Sequence, residues 1–181
     1  MKITETSLPG VKLLTAQIYR DSRGAFCETF NLRQMEEAGL PSVWVQDNFS
    51  VSAKNVLRGF HFQVTQTQGK LVRVTHGAVL DVAVDLRRSS AHFGKHVSVE
   101  LRDDTGNMLW IPPGFGHAFL ALTDQAAFAY KVTDYYSPGG ERTVLWNDPE
   151  LAIAWPVAEA DVIVSDKDRA GATLRVAEIF S

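Results

Sequence analysis

The sequence predicts a mainly β protein, a jelly-roll β-sandwich or barrel with short helical segments in its N-terminal region and C-terminal tail. Three observations point there. Short runs that alternate apolar and polar residues recur between about residue 44 and residue 132. Turns rich in Gly, Pro and Asn separate them at regular spacing. A length of 181 residues at 45% hydrophobic content is enough for one well-cored domain. The expected division is a single domain over 1–181, with its core at about 45–135 and a tail, 137–181, packed on it.

The elements follow in order. Residues 11–19 read as a strand, and Asp21-Ser22-Arg23-Gly24 as a turn whose glycine is free to take positive φ. Ala25 to Phe30 continues as a second strand. Asn31 is placed to cap a short helix, Leu32 to Ala38, which Gly39-Leu40-Pro41 stops. Strand character resumes over Trp44 to Ser52 and again over Leu71 to Thr75, before a turn at His76-Gly77. In the next strand, Val79 to Leu86, Val82 and Val84 face one side while Asp81, Ala83 and Asp85 face the other. A polar loop, 87–94, precedes the alternating run Val97 to Leu101. Asp103-Asp104-Thr105-Gly106-Asn107 is a strong hairpin signal leading into Met108 to Ile111. Pro112-Pro113-Gly114 ends that strand, and His117 to Leu122 and Ala126 to Val132 complete the set. After Ser137-Pro138-Gly139-Gly140 the chain turns to loop and edge elements with short helical turns.

Composition excludes several classes. A formal net charge of -3 argues against a nucleic-acid binder, which is usually basic. Cys27 is the sole cysteine, so neither an intrachain disulfide nor a cysteine-rich zinc site is available, and it reads as a buried or half-buried strand residue. Met1-Lys2-Ile3-Thr4-Glu5 lacks the apolar run of a signal peptide, and no stretch approaches the ~20 apolar residues of a membrane span. A cytoplasmic protein is expected.

One segment carries the chemistry. Val56-Leu57-Arg58-Gly59-Phe60-His61-Phe62-Gln63, followed by Gln68-Gly69-Lys70-Leu71-Val72-Arg73-Val74, puts a guanidinium, an imidazole and an ammonium on neighbouring strands. Together they suggest an anionic substrate, a base at its reacting centre and a cation for developing negative charge. His61 is the natural general base near neutral pH. It needs a carboxylate partner, and Asp81, Asp85 and Asp168 are all candidates. Tyr130 shares a strand face with Phe128 and Val132, as a packed core tyrosine or a proton donor. Arg23 and Arg58 each neighbour a glycine that lets a bulky ligand approach the backbone, whereas Arg87 and Arg88 read as surface residues.

Metal dependence is not expected. A cupin-type site wants two histidines at alternate positions, a nearby acid and a later histidine. Here His61-Phe62-Gln63 lacks the second histidine and no acid lies between Gln63 and Lys70, although His117 stands where the late one would fall. Lys70 would also repel a cation.

Further motifs run through the chain in order: Arg20-Asp21-Ser22-Arg23-Gly24, Gln46-Asp47-Asn48-Phe49-Ser50, Asp81-Val82-Ala83-Val84-Asp85-Leu86-Arg87, Ile111-Pro112-Pro113-Gly114-Phe115-Gly116-His117, Tyr130-Lys131-Val132-Thr133-Asp134-Tyr135-Tyr136 and Trp146-Asn147-Asp148-Pro149. With the segment around His61 and Lys70, they make nearly the whole chain resemble the RmlC-type deoxysugar epimerases, the dTDP-4-dehydrorhamnose 3,5-epimerase family. The resemblance implies a cupin-like jelly-roll homodimer that needs no cofactor and acts on a dTDP-4-keto-6-deoxyhexose. It implies inversion at C3 and C5 in dTDP-rhamnose biosynthesis. His61 matches the family's base, Tyr130 its proton donor, Asp168 the carboxylate partner of the histidine and Lys70 the lysine near the sugar's C4 oxygen. Arg23, Glu28, Gln46, Asp47, Asn48, Arg58, His117, Glu141 and Lys167 match positions that hold the nucleotide-sugar, and Tyr136 one that stacks on thymine.

Two departures stand out. The stretch from His61 to Lys70 is one residue shorter than the family pattern, which bears on where Lys70 points. Gly116 and Ala118 flank His117 where the pattern more often reads Ala and Gly. Competing readings are a mono-epimerase inverting C3 or C5 alone, a 3,4-ketoisomerase, a non-catalytic nucleotide-sugar binding module and a metal-dependent cupin.

Overall fold

A computed structural model describes residues 1–181. Thirteen strands form in chain order: β1 (Lys2–Glu5), β2 (Lys12–Thr15), β3 (Ile18–Asp21), β4 (Gly24–Cys27), β5 (Gln46–Ala53), β6 (Leu57–Gln63), β7 (Lys70–His76), β8 (Ala78–Asp85), β9 (His96–Arg102), β10 (Asn107–Ile111), β11 (Phe115–Ala121), β12 (Gln125–Val132) and β13 (Glu141–Thr143). Helix α1 (Leu32–Glu37) lies between β4 and β5, and a single helical turn, α2 (Asp166–Arg169), lies in the tail. A six-stranded sheet, β1-β2-β10-β7-β12-β5, faces a five-stranded sheet, β13-β6-β11-β8-β9. From β6 onward the chain passes repeatedly between the two sheets, and all the ladders are antiparallel. That is the expected jelly roll.

Period-two alternation sorts the side chains into layers. Val72, Val74, Leu109 and Phe128 from one sheet meet Val79, Ala83, Leu101 and Phe119 from the other in the central core. Each of the buried Val, Leu and Phe side chains contributes about 1.5–3 kcal/mol. The outward residues Phe60, Phe62, Val82, Val84 and Ala118 are covered by the tail through Leu151, Leu174 and Ala177. Met35 and Leu40, around α1, cover Leu14, Leu71, Met108 and Trp110 on the other side. The tail also pairs with the barrel through parallel bridges, Val56 with Ile163, Arg87 with Phe180 and Val144 with Ala172. Asp148 of the Trp146-Asn147-Asp148-Pro149 motif is buried and accepts from the backbone of Glu150 and Leu174, both at 2.8 Å, so this motif anchors the tail.

Several elements differ from expectation. The strand read over 11–19 breaks at Ala16-Gln17, because the Ala16 N–H donates to the Gly106 carbonyl and draws β2 onto β10. Past the break, β3 pairs only with β4, as a separate hairpin that exposes Tyr19 and Phe26. Asp103 to Asn107 is a turn, and Gly106 takes φ +68°, but it is no hairpin: β9 pairs with β8 while β10 pairs with β2 and β7. Asn107 accepts from the Thr15 hydroxyl at 2.9 Å, which fixes β10 in the opposite sheet. Strand β1 was not foreseen in the sequence. The Asn31 cap is in place, accepting from the Gln34 N–H at 3.3 Å, and Gly39 closes α1 at φ +69°. Cys27 is half-buried on β4, as expected. No helix is long and apolar enough to cross a membrane.

Candidate active site

The site lies in the mouth of the barrel, in a cavity of about 370 Å³ lined from both sheets. Gln46, Asn48 and Ser50 enter from β5, Lys70 from β7 and Tyr130 from β12; Arg58 and His61 come from β6 and His117 from β11. Strict alternation would put Arg58 and His61 on opposite faces of β6. A bulge prevents this: His117 pairs with His61 and Phe119 with Arg58, so two steps along β11 match three along β6. Gly59 sits in the bulge at φ +126°, and a Cβ there would come 2.5 Å from both the Ala118 side chain and the His117 carbonyl. The glycine beside Arg58 is therefore required by strand packing, not by a ligand's approach.

His61 is hydrogen-bonded to a carboxylate of the tail. Its Nε2 lies 2.5 Å from Asp168 Oδ1, and Asp168 is nearly fully buried. Of the candidate carboxylates, then, Asp168 partners His61, Asp81 bonds His117 at 2.8 Å, and Asp85 binds Arg87 and Ser90 at 2.7 and 2.6 Å. Burial works to raise the pKa of Asp168, but bonds from His61, Ser165 and the Gly59 backbone outweigh it and hold the carboxyl below its usual range. Ser165 caps α2, accepting from the Asp168 N–H at 3.1 Å, and so aims the carboxylate. With Nε2–H donated to Asp168, the lone pair of neutral His61 is on Nδ1.

Lys70 reaches inward despite the short preceding loop. It is 8% exposed, and its ammonium donates to the His61 carbonyl at 3.1 Å. Burial lowers its pKa from 10.5 to about 8; Asp81 and Glu141 oppose that shift and Lys167 adds to it. Tyr130 borders Phe128, which stacks on Phe119 and His117. Burial and the Glu141 carboxylate raise the phenol's pKa, against Arg58, so Tyr130 keeps its proton. Burial likewise keeps His117 neutral, against the pull of Asp81.

At the mouth, Glu141 on β13 takes Lys167 at 2.5 Å and the Tyr136 hydroxyl at 2.9 Å. Gln46 bonds Asn48 at 2.8 Å and accepts from the Tyr136 N–H at 3.1 Å. Arg58 donates to Ser52 at 3.1 Å. Three expected contacts lie elsewhere. Asp47 alternates away from the cavity and pairs with Lys131 at 2.9 Å. Arg23 lies on the exposed β3–β4 turn, paired with Asp21. Glu28 follows β4 and accepts from Asn31 and Gln34 at 3.2 and 3.1 Å.

Sequence reasoning missed Gln63, Gln68, Phe119 and Phe128 as lining residues. Gln63, read there only as an absent histidine, is buried and ties the Tyr136 loop to β6 by accepting from the Ser137 N–H at 2.9 Å and donating to the Tyr135 carbonyl at 3.2 Å. The alternation of Phe119 with His117, and of Phe128 with Tyr130, was the available signal for the aromatic pair. No group of three or more His, Cys, Asp or Glu side chains is arranged to hold a metal.

Comparison with known proteins adds four findings. Residues 5–176 match the family model of dTDP-4-dehydrorhamnose 3,5-epimerase. The chain is 49% identical over 181 residues to the Pseudomonas aeruginosa protein of that name, covering 99% of each chain. A crystal structure of dTDP-6-deoxy-D-glucose-3,5-epimerase from Legionella pneumophila, in complex with dTDP-4-keto-L-rhamnose, superposes with a TM-score of 0.93 at 47% identity, over 97% of this chain and 93% of that one. ChmJ, a 3'-monoepimerase from Streptomyces bikiniensis in complex with dTDP-quinovose, gives a TM-score of 0.88 at 34% identity, over 94% and 86%.

Proposed function

The chain belongs to the dTDP-4-dehydrorhamnose 3,5-epimerase family, and from that premise we propose how its pocket performs the reaction. The protein is an isomerase. It converts dTDP-4-dehydro-6-deoxy-D-glucose to dTDP-4-dehydro-L-rhamnose by inverting C3 and C5, a step of dTDP-rhamnose biosynthesis.

The observation that carries the mechanism is an imidazole backed by a carboxylate, a protonated phenol and a buried ammonium lining or bordering one cavity. Protons at C3 and C5 are both α to the C4 ketone, so removing either one builds negative charge on the ketone oxygen. His61 Nδ1 takes the proton, and Asp168 stabilises the imidazolium that forms. The ammonium of Lys70 meets the enolate oxygen in a site largely screened from water. Tyr130 returns a proton from the opposite face, which inverts the carbon; His61 then gives its proton to solvent and Tyr130 takes one from solvent before the second carbon reacts. The sugar moves between the two steps while Arg58 and the polar groups of β5 hold the nucleotide end.

A homodimer and a cytoplasmic location belong to the same reading. β5 is an open edge strand that lines the cavity and exposes Phe49 and Val51. The β3–β4 hairpin exposes Tyr19 and Phe26 and carries Arg23, with Glu28 just past it. Pairing two copies would cover these apolar groups. It is also the route by which Arg23 and Glu28 could reach a nucleotide-sugar that they do not approach within one chain.

Incubation with dTDP-4-keto-6-deoxyglucose in heavy water, read by NMR, tests the function. Deuterium at C3 and at C5 with inversion at both is expected. Exchange and inversion at one carbon alone would make the protein a mono-epimerase, the activity named for the less similar ChmJ.

A further inference from the structure

The buried face of the site holds an acid that the mechanism above leaves without work. Asp81 is fully buried on β8, in the barrel interior with Val79 and Ala83. Its Oδ2 bonds His117 at 2.8 Å, and its Oδ1 has no hydrogen-bond partner at all. A buried carboxylate oxygen left so is costly unless a charge nearby offsets it. Lys70, buried in the cavity that His117 also lines, feels the Asp81 charge without pairing with it directly, and its only hydrogen bond within the protein goes to a neutral carbonyl.

We propose that Asp81 is a positioning residue for the epimerisation: it is the counter-charge that keeps Lys70 an ammonium, and it holds His117 in the tautomer that leaves Nδ1 free to accept from the substrate. The proposal rests on the epimerase reading only for what Lys70 and His117 do to the sugar. His117 is neutral and its Nε2 faces Asp81, so Nε2 carries the proton and donates it there. Nδ1 makes no bond within the protein, and the ring lines the cavity. Several groups bear on Lys70 from the elements around it. Asp81 on β8 and Glu141 on β13 favour its charge, and Lys167 on α2 opposes it. Arg58, His61 and His117 are the other titratable neighbours lining the cavity on the five-stranded sheet, and Tyr130 the one on β12. Glu141 is already engaged by Lys167 and Tyr136, which leaves Asp81 as the carboxylate with an oxygen to spare.

Asp81→Asn tests this, because it removes the charge and keeps the shape. The expected result is a kcat lowered about 10- to 100-fold, comparable to losing an outer residue that orients a ligating group. The alkaline limb of the kcat profile should fall at lower pH than in the unsubstituted enzyme. A folded variant whose alkaline limb has not moved overturns the proposal, whatever its kcat. Should the variant not fold, 15N NMR of the unsubstituted protein decides. Above about pH 6.5, the ordinary imidazole value, His117 should carry its proton on Nε2 and none on Nδ1. A proton on Nδ1 overturns the assignment. Neither readout depends on which carbons the enzyme inverts, and the heavy-water experiment tests the epimerase reading separately.

Discussion

His61 and His117 face each other across β6 and β11, and each bonds a carboxylate through Nε2. The two pairs differ in how they meet water. The His61 side chain is 29% exposed and its carboxylate comes from the tail, 107 residues away. The His117 side chain is 8% exposed and its carboxylate comes from the adjacent strand β8. An imidazole at the mouth can gain a proton and pass it on, whereas a charge on the buried one would be desolvated. The same two residue types therefore serve proton transfer at one depth and polar positioning a strand away.

The sharpest way to break that contrast is His61→Ala. Deuterium exchange at both C3 and C5 should fall by about 10³-fold or more, at the upper end of general-base effects. Exchange near the unsubstituted rate would move the base elsewhere, His117 included. Tyr130→Phe comes next, with inversion slowed about 10²-fold and proton removal less affected. Equal loss of both would deny the phenol its opposite-face role. The pH profile sharpens the comparison from the Lys70 side. Its ammonium is present below about 8 and lost above, so kcat should decline on the alkaline side of that value. A profile flat to pH values about two units higher, near a free lysine's pKa, would place the charge elsewhere. The smallest effect is expected from Ser165→Ala, which removes the cap of α2 at a cost of about 1 kcal/mol. Activity should drop a few-fold through a looser Asp168, with thermal unfolding little changed; an unchanged kcat would show that the tail holds Asp168 without its cap.

Much of the barrel was legible because alternation is a local signal. That Asp81, Ala83 and Asp85 share one face was visible in the sequence, though not that this face is the inner one, and Asp81 and Asp85 both found partners, His117 and Arg87. The pairing of Asp81 with His117 was not, since it depends on which strand lies beside β8. For the same reason Asp103 to Asn107 looked like a hairpin: a turn signal tells that the chain reverses, and not which sheet it joins. The bulge at Gly59 was hidden too, because it appears only as a mismatch of register between β6 and β11. Asp168 reached His61 in the sequence reading through family resemblance alone. Nothing local to Ser165-Asp166-Lys167-Asp168 says that its one turn of helix packs against β6.

The tail's delivery of Asp168 has a consequence for how the enzyme comes into being. A ribosome makes the pocket walls and His61 first, and the carboxylate that orients this imidazole follows 107 residues after it. A nascent barrel, or one nicked after β13, would grip its ligand with an untutored imidazole, so the competence to scramble a carbon's handedness waits on the arrival of the tail.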